Sequence, residues 1–304
     1  MINPEFFNAK ILLFGEYGMI FNAMALSVPF TKFSGRLDFS SNESDRQSSE
    51  EIRKFYEYLK GKPVNRKLNF PFGLEKMGND IINGLYFKSS IPQQYGVGSS
   101  GALVAALFSK YTIHSIPENQ PVPELLKADF ALLESYFHGK SSGMDPLISF
   151  LNQPLLIDSG NNVQEVNFDL NESGLAISLV DTKTTGATGP LVQHFLDQYY
   201  SIEFKNTVDS WLIPINNTCI ESLLNSDKKA FFYALEKLIH FQLEYFRRMI
   251  PENFHSIIQE ALEEKVFIKL LGSGGGGFLI AFAESPNVME KWKEKKSIDL
   301  LKVV

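Results

Sequence analysis

A glycine-rich segment at residues 96–101, Gly-Val-Gly-Ser-Ser-Gly, has the composition of a phosphate-binding loop. It leads into an apolar stretch, GALVAALFSKYTIH (101–114), that predicts a helix. Glycines let backbone N–H groups turn toward one point, and a helix N-terminus adds free N–H donors and partial positive charge. Ser99 and Ser100 add two hydroxyls that can bind phosphate oxygens or a divalent cation. An ordinary glycine-rich helix start remains the alternative for this segment alone.

A second glycine run, residues 272–277, lies between two apolar stretches, VFIKLLG and FLIAFAE, that predict strands. Five glycines within six residues cost conformational entropy and give a hairpin no side chains to pack. We therefore expect this backbone to pass close to a ligand or to the first glycine segment. The alternative is a flexible hairpin without a function.

Both glycine segments match the pattern GxGxxG, which is weak evidence by itself. A dinucleotide-binding fold places that pattern between a buried strand and a helix, with an acidic residue about 20 positions later. YFKSSIPQQY precedes the first segment, its nearest acidic candidate is Glu118 in a turn-like stretch, and no helix follows the second segment. These features disfavour a nicotinamide-dependent oxidoreductase, which NADH binding would test.

Two carboxylates, Glu134 and Asp145, stand 11 residues apart in the segment ESYFHGKSSGMDP (134–146). Glu134 falls in the last turns of a predicted helix, and residues 139–143 predict a turn that returns the chain. Two carboxylates near a phosphate site could act separately, one on Mg²⁺ and one as a general base. From spacing alone, a pair of solvated surface acids is the alternative.

Composition excludes several classes of protein. The 304 residues are 44% hydrophobic, which excludes wholesale disorder, and a formal charge of −6 gives no global attraction to nucleic acid or an anionic membrane. One cysteine, Cys219, and five histidines without ligand spacing argue against a zinc site. Glu5 stands where a secretion signal would be basic, and no apolar stretch approaches the roughly 20 residues that span a bilayer. We expect a cytoplasmic protein.

The elements that must position these residues are mixed along the chain. Strands are predicted at 10–14, 25–30, 33–39, 155–158 and 174–182, together with the two flanking the second glycine run. Helices are predicted at 50–61 with Ser48 or Ser49 as N-cap, at 101–114 and 122–137, over most of 187–265, and in the tail from 285. This order predicts an α+β fold. We place a domain boundary at 172/173, giving domains 1–172 and 173–304.

Taken in order, these segments resemble the GHMP kinase superfamily. KILLFGEYGMI is similar to its first motif, PQQYGVGSSGALVAA to its phosphate-binding loop, and LLGSGGGGFLIAF to its glycine-rich hairpin. HGKSSGMD resembles the H-G-x-x-S-G-x-D stretch of mevalonate kinases, with Glu134 at their helix glutamate. DTKTTGATGPLV resembles their strand and loop ending in a threonine, here Thr188. The resemblance implies a ribosomal-protein-S5-like N-terminal domain and a ferredoxin-like C-terminal domain.

The resemblance also implies the roles of individual residues. Asp145 would accept the proton of the acceptor hydroxyl, with Lys10 keeping it ionised and polarising that hydroxyl, and Ser100 and Glu134 would hold Mg²⁺. The residues assigned to ATP are Tyr95, Gly96, Gly98, Ser99, Ser100, Gly101, Gly274 and Gly275. The residues assigned to the acceptor are Glu16, Tyr17, His138 and Thr188. A homodimer is common among such relatives and is a further expectation.

Departures from the family pattern concern the acceptor. Asn8-Ala9 replaces a Pro-Gly pair, Gly186 stands where a polar or basic residue is frequent, and Tyr17 replaces the histidine that mevalonate kinases carry after the glutamate. Tyr17 and the YGVGSSGA loop are similar to phosphomevalonate kinases. The sequence thus predicts an ATP- and Mg²⁺-dependent kinase of mevalonate. Phosphomevalonate or another small alcohol is the alternative acceptor, and a non-catalytic small-molecule sensor is the alternative from a different class.

Overall fold

The computed structural model describes residues 5–42, 45–61, 63–113, 122–139, 141–186 and 188–304, without the side chains of Arg46, Val122, His138 and Thr188. The chain forms two compact units, each built from several stretches of sequence. Unit 1 comprises Met1–Lys10, Pro29–Pro92 and Gly98–Gln153; unit 2 comprises Ile11–Val28, Gln93–Val97 and Pro154–Val304. The predicted boundary at 172/173 stays a prediction.

Two long strands begin the chain and contribute residues to both units: β1 (Phe7–Phe14) and β2 (Ala25–Phe39). The other elements of unit 1 are α1 (Arg46–Gly61), α2 (Val64–Lys67), α3 (Leu74–Ile82), β3 (Leu85–Ser89), α4 (Ser99–Tyr111), α5 (Val122–His138) and α6 (Met144–Leu151).

The remaining strands of unit 2 are β4 (Leu155–Ile157), β5 (Val163–Glu165), β6 (Ala176–Asp181), β7 (Phe267–Leu270), β8 (Phe278–Ala283) and β9 (Leu300–Lys302). Its helices are α7 (Thr188–Tyr199), α8 (Ile202–Thr207), α9 (Ile213–Leu224), α10 (Lys228–Tyr245), α11 (Phe254–Glu263) and α12 (Pro286–Lys296). A π-helical turn, Val208–Leu212, joins α8 to α9. Among the described residues, no helix combines the length and the apolar character needed to cross a membrane.

The strands form two sheets. One has the order β1-β2-β4-β5, with β3 also pairing β2, and the pairings of β2 with β3, β2 with β4 and β4 with β5 are antiparallel. The other has the antiparallel order β7-β8-β6-β9, in which Leu270 lies opposite Leu279. The glycine run 272–277 is therefore the hairpin between two paired, buried strands, as predicted.

Aromatic packing fixes the three helices that carry the predicted site of unit 1. Phe108 of α4 lies 4.7 Å from Phe130 of α5 and 5.5 Å from Phe150 of α6, measured between ring centroids, and the last two rings are 5.6 Å apart. Burying large aromatic side chains contributes strongly to core stability. The first turn of α4, the last turns of α5 and the first turn of α6 are thereby held in one arrangement.

The start of α1 differs from the prediction. Ile52, Phe55 and Leu59 form its buried face as expected, but the helix begins at Arg46, so neither Ser48 nor Ser49 is its N-cap. The Ser48 hydroxyl instead accepts the Phe87 N–H at 2.8 Å and donates to the Phe87 carbonyl at 3.2 Å. A side chain that can cap a helix has here found a partner on strand β3, which the local sequence could not reveal.

Candidate active site

A lysine and an aspartate meet at the start of α6. Lys10 Nζ, from β1, lies 3.0 Å from Asp145 Oδ1, and the lysine side chain is buried whereas that of Asp145 is 34% exposed. Gly143, with a φ of 74°, is the residue before α6. Asp145 lies in the first turn of this helix, where the helix dipole favours a carboxylate. The pair thus presents an accessible carboxylate beside a buried lysine.

The start of α4 covers this ion pair closely. Gly98 has a φ of 80°, and a Cβ there would lie 2.9 Å from Lys10 Cγ and 3.7 Å from Asp145 Oδ2. A Cβ on Gly101 would lie 2.7 Å from the carbonyl carbon of Asp145. Only glycine fits at these two positions, because a Cβ at either one would come too close to Lys10 or Asp145. The two glycines therefore allow α4 to approach the ion pair. The structure therefore places Gly98 and Gly101 against Lys10 and Asp145.

A buried carboxylate lies next to that pair. The Ser100 hydroxyl donates to Glu134 Oε1 at 3.4 Å, and the Ser141 hydroxyl donates to Oε2. Burial raises the pKa of Glu134 to about 8, the charge of Asp145 adds to the rise, and the hydrogen bond from Ser141 and the charge of Lys10 oppose it. The ionised form of this carboxylate thus lacks full compensation within the protein.

Ser100 and Glu134 suit a hard divalent cation. Hydroxyl and carboxylate oxygens are the ligands that Mg²⁺ takes in proteins. Because burial is the largest cause of the raised pKa of Glu134, a cation next to this carboxylate would favour its ionised form. The described residues contain no group of three or more His, Cys, Asp or Glu side chains placed so that it could hold a metal ion. Mg²⁺ usually keeps several waters and uses only one or two carboxylates, so this small donor set fits it.

Ser141 was not among the predicted site residues. It lies in HGKSSGMD, but at a position that the family pattern leaves variable. Its hydroxyl also accepts the Gly143 N–H at 3.0 Å, so it joins the start of α6 to Glu134. Geometry, rather than a motif, identifies it.

In unit 2, Tyr95 and Gly96, at the start of the first glycine-rich segment, lie against the second. A Cβ on Gly277 would lie 2.6 Å from Tyr95 Cα, and one on Gly96 would lie 3.2 Å from the Leu271 carbonyl oxygen. The Tyr95 ring packs on Phe278 with 4.8 Å between centroids. The close approach predicted for the glycine run is therefore confirmed, and it accounts for the absence of side chains there.

The segment 182–186 completes this backbone cluster of unit 2. Gly277 N–H donates to the Thr184 carbonyl at 2.6 Å, and a Cβ on Gly186 would lie 2.6 Å from the Gly274 carbonyl oxygen. Gly186, which departs from the family pattern, is thus the residue that permits this contact. Gly274 and Gly275 have φ values of 71° and 79°.

Of the four predicted acceptor residues, the structure describes the side chains of two, Glu16 and Tyr17. Glu16 is buried in an ion pair with Lys269, and Tyr17 is 5% exposed, with its hydroxyl donating to the Ser273 carbonyl at 2.6 Å. His138 ends α5 and Thr188 begins α7, but their side chains lie outside the described part of the chain. Lys269 was not among the predicted site residues, because nothing in VFIKLLG indicates its partner 253 residues away. The roles of all four stay predictions.

Residues 63–153 match the family model of the GHMP kinases N terminal domain. This stretch is therefore similar to the N-terminal domain of GHMP kinases. The matched stretch includes Gly98, Ser100, Glu134 and Asp145, whereas Lys10 lies outside it. None of the curated proteins compared matches the chain significantly in sequence.

Solved structures with this fold cover nearly the whole chain. L. major mevalonate kinase in complex with R-mevalonate is 17% identical over 98% of this chain and 94% of that one, with a TM-score of 0.65. Streptococcus pneumoniae phosphomevalonate kinase in complex with phosphomevalonate and AMPPNP is 15% identical, covers 97% of each chain and has a TM-score of 0.63. Lactococcus lactis galactokinase complexed with galactose is 14% identical over 98% and 92%, with a TM-score of 0.65.

These comparisons confirm the predicted resemblance and fold class. The chain has the α+β, two-domain architecture of GHMP kinases. The family match covers residues 63–153, and the solved neighbours share the fold over nearly the whole chain. At identities of 14–17%, the structural likeness establishes the fold and leaves the acceptor to be argued from the site.

Proposed function

We propose that this protein is an ATP- and Mg²⁺-dependent kinase that phosphorylates the 5-hydroxyl of mevalonate. The observation that carries the proposal is the ion pair of Lys10 with Asp145, at 3.0 Å, in which only the carboxylate is substantially exposed. An exposed carboxylate in the first turn of a helix can accept a proton from a bound hydroxyl, and a buried lysine fixes its position.

In the proposed reaction, Asp145 accepts the proton of the acceptor hydroxyl. The acceptor oxygen forms a bond to the γ-phosphorus of ATP, while the bond from that phosphorus to the bridging oxygen breaks and ADP leaves. Lys10 stabilises the oxygen as it loses its proton. Phosphoryl transfer depends mainly on positioning and on stabilisation of phosphate charge, so one base and one fixed cation are a sufficient protein contribution at the acceptor.

Ser100 and Glu134 would hold Mg²⁺ in this proposal. The ion would neutralise negative charge on the ATP phosphates. Ser141 keeps the Glu134 carboxylate oriented through its hydrogen bond to Oε2. Gly98, Ser99 and Gly101 of unit 1 are the residues proposed to contact the nucleotide beside Ser100. The nucleotide roles of Tyr95, Gly96, Gly274 and Gly275 stay predictions from the family resemblance.

Mevalonate is favoured over phosphomevalonate by the resemblance of HGKSSGMD to mevalonate kinases and by the charges around Lys183. A phosphorylated acceptor needs an additional cation. Lys183 Nζ instead lies 3.0 Å from Asp181 Oδ2 and 2.7 Å from Asp299 Oδ2, so its charge is already balanced. Lys140, the lysine within HGKSSGMD, lies outside the described residues.

The test is ADP release with Mg²⁺·ATP, with mevalonate, 5-phosphomevalonate and galactose offered in parallel. We expect turnover on mevalonate, with at least a tenfold lower kcat/KM on the other two. Turnover on phosphomevalonate alone would contradict the acceptor and indicate that Tyr17 and the YGVGSSGA loop were the better guides. Nucleotide binding without ADP release on any alcohol would favour the non-catalytic sensor.

A further inference from the structure

The turn that follows β1 has an unusual backbone at Tyr17. Its φ of 58° and ψ of −44° are rare for a residue with a side chain, and Gly18 N–H donates to the Glu16 carbonyl at 2.5 Å. This is a γ-turn of the strained, positive-φ type. Such a conformation persists only where surrounding contacts determine it, and it is frequent at functional sites.

Two side chains of this turn contact the strand and hairpin of the second glycine segment. The buried Glu16 carboxylate pairs with Lys269 of β7. The Tyr17 hydroxyl donates to the Ser273 carbonyl at 2.6 Å, while its ring packs between Phe195 and Phe246 at centroid distances of 4.8 and 5.1 Å. The strained turn therefore directs adjacent side chains to one end of β7 and to the hairpin that follows it.

The hairpin depends on such contacts for its shape. Gly272, Gly274 and Gly275 have φ values between 69° and 79°, which residues with side chains rarely adopt. Holding glycines in one conformation costs more backbone entropy than holding other residues. Glycines supply no side chains that could anchor the hairpin. Beyond Ser273, it is held by hydrogen bonds from Gly275 N–H to the Met249 carbonyl and from Gly277 N–H to the Thr184 carbonyl, each 2.6 Å long.

We propose that Tyr17 is a positioning residue for the nucleotide, which it serves by fixing the Ser273 carbonyl and thereby the conformation of the glycine hairpin. This inference rests on the proposed kinase function and on the assignment of Gly274 and Gly275 to ATP. It differs from the acceptor role that the family resemblance implied for Tyr17. The hydroxyl donates a hydrogen bond to the Ser273 carbonyl, and the buried ring packs against Phe195 and Phe246.

The variant Tyr17→Phe tests the proposal because it removes only the hydroxyl and keeps the packed ring. Losing one hydrogen bond of ordinary net strength should raise the KM for ATP about 3- to 10-fold. We expect kcat and the KM for the acceptor to stay within twofold of the wild type. Hydrogen exchange followed by mass spectrometry should show faster exchange in peptides covering residues 271–278 and unchanged exchange elsewhere in the hairpin's sheet.

Tyr111→Phe is the matched control. Tyr111 is also a buried tyrosine, and its hydroxyl donates to Asp80 at 2.7 Å in unit 1. This variant should alter thermal stability to a similar extent without changing the KM for ATP or exchange in the hairpin. Equal effects of both variants on the KM for ATP would show a general loss of stability and overturn the proposal.

Two further outcomes would overturn it. One is an unchanged KM for ATP and unchanged hairpin exchange in Tyr17→Phe; the other is a rise confined to the KM for the acceptor, which would return Tyr17 to the acceptor site. If the wild type turns over no alcohol, the kinase function fails. The exchange comparison then still decides whether Tyr17 fixes the hairpin.

Discussion

Two lysine–carboxylate pairs of this protein, Lys10–Asp145 in unit 1 and Lys269–Glu16 in unit 2, have the same chemical groups and opposite surroundings. In the first, the aspartate side chain is 34% exposed, and it lies in the first turn of α6. In the second, the side chains are 0% and 2% exposed. The first carboxylate is open to a ligand, and the second is sealed from any.

This difference in exposure separates a carboxylate that could act in catalysis from one that only holds the fold together. An accessible carboxylate can exchange a proton with a bound alcohol, whereas a sealed pair can only hold two segments of chain together. Burial lowers the pKa of Lys269, against the opposing charge and hydrogen bond of Glu16. Each member of the buried pair is therefore destabilised when the other is removed. Substitution of Asp145 should mainly lower activity, whereas substitution of Lys269 should mainly lower stability.

The largest effect is expected from Asp145→Asn. Removing the proposed general base should lower kcat by about 10²- to 10⁴-fold while leaving ATP affinity within threefold, because the amide cannot accept the hydroxyl proton. Steady-state ADP release and calorimetric ATP binding measure the two quantities. Retained turnover would refute the role of Asp145, and so would loss of ATP binding in a folded variant.

Lys269→Met should instead act on stability. It leaves the Glu16 carboxylate buried without its partner, which costs about 3–5 kcal/mol of unfolding free energy in comparable buried pairs. Urea unfolding followed by circular dichroism measures the loss.

The matched control is the double variant Glu16→Gln/Lys269→Met, which removes both charges and should recover much of the lost stability. A double variant as unstable as the single one would show that the lysine acts through packing and not through its ion pair. The Lys269–Glu16 pair could then not be compared with the Lys10–Asp145 pair as a second ion pair.

The smallest of the three effects is expected at the proposed metal ligands. Ser100→Ala and Glu134→Gln should each raise the Mg²⁺ concentration that gives half-maximal activity by about tenfold, within the 10- to 100-fold range typical for groups that support a metal site. Titration of activity with Mg²⁺ at saturating ATP measures this. Ser99→Ala, on the same turn, is the control and should change this Mg²⁺ concentration little. An unchanged Mg²⁺ concentration in both Ser100→Ala and Glu134→Gln would refute both ligand assignments.

Local patterns predicted most of the regular structure. The apolar run after the first glycine segment is α4, the segment containing Glu134 is α5, and the second glycine run joins β7 to β8. These elements succeed because helical or strand periodicity is strong and the turn residues are unambiguous.

Other elements were missed for physical reasons. Residues 25–30 and 33–39 were predicted as separate strands, but Ala25–Phe39 is one strand that passes through Pro29. The strand Leu85–Ser89 and the helix Met144–Leu151 were not predicted. Both are short, and both are stabilised by partners distant in sequence, β2 for the strand and α4 for the helix, rather than by local propensity.

The sequence alone determined the residue types of the site: a lysine on the first strand, a serine-containing glycine loop, and two carboxylates at fixed spacing around HGKSSGMD. Only the tertiary structure decided which carboxylate is accessible. It paired Lys10 with Asp145, sealed Glu16 against Lys269 and directed the Tyr17 hydroxyl to Ser273. Solvent exposure and partner choice depend on contacts between segments up to 256 residues apart, and no local pattern of residues encodes them.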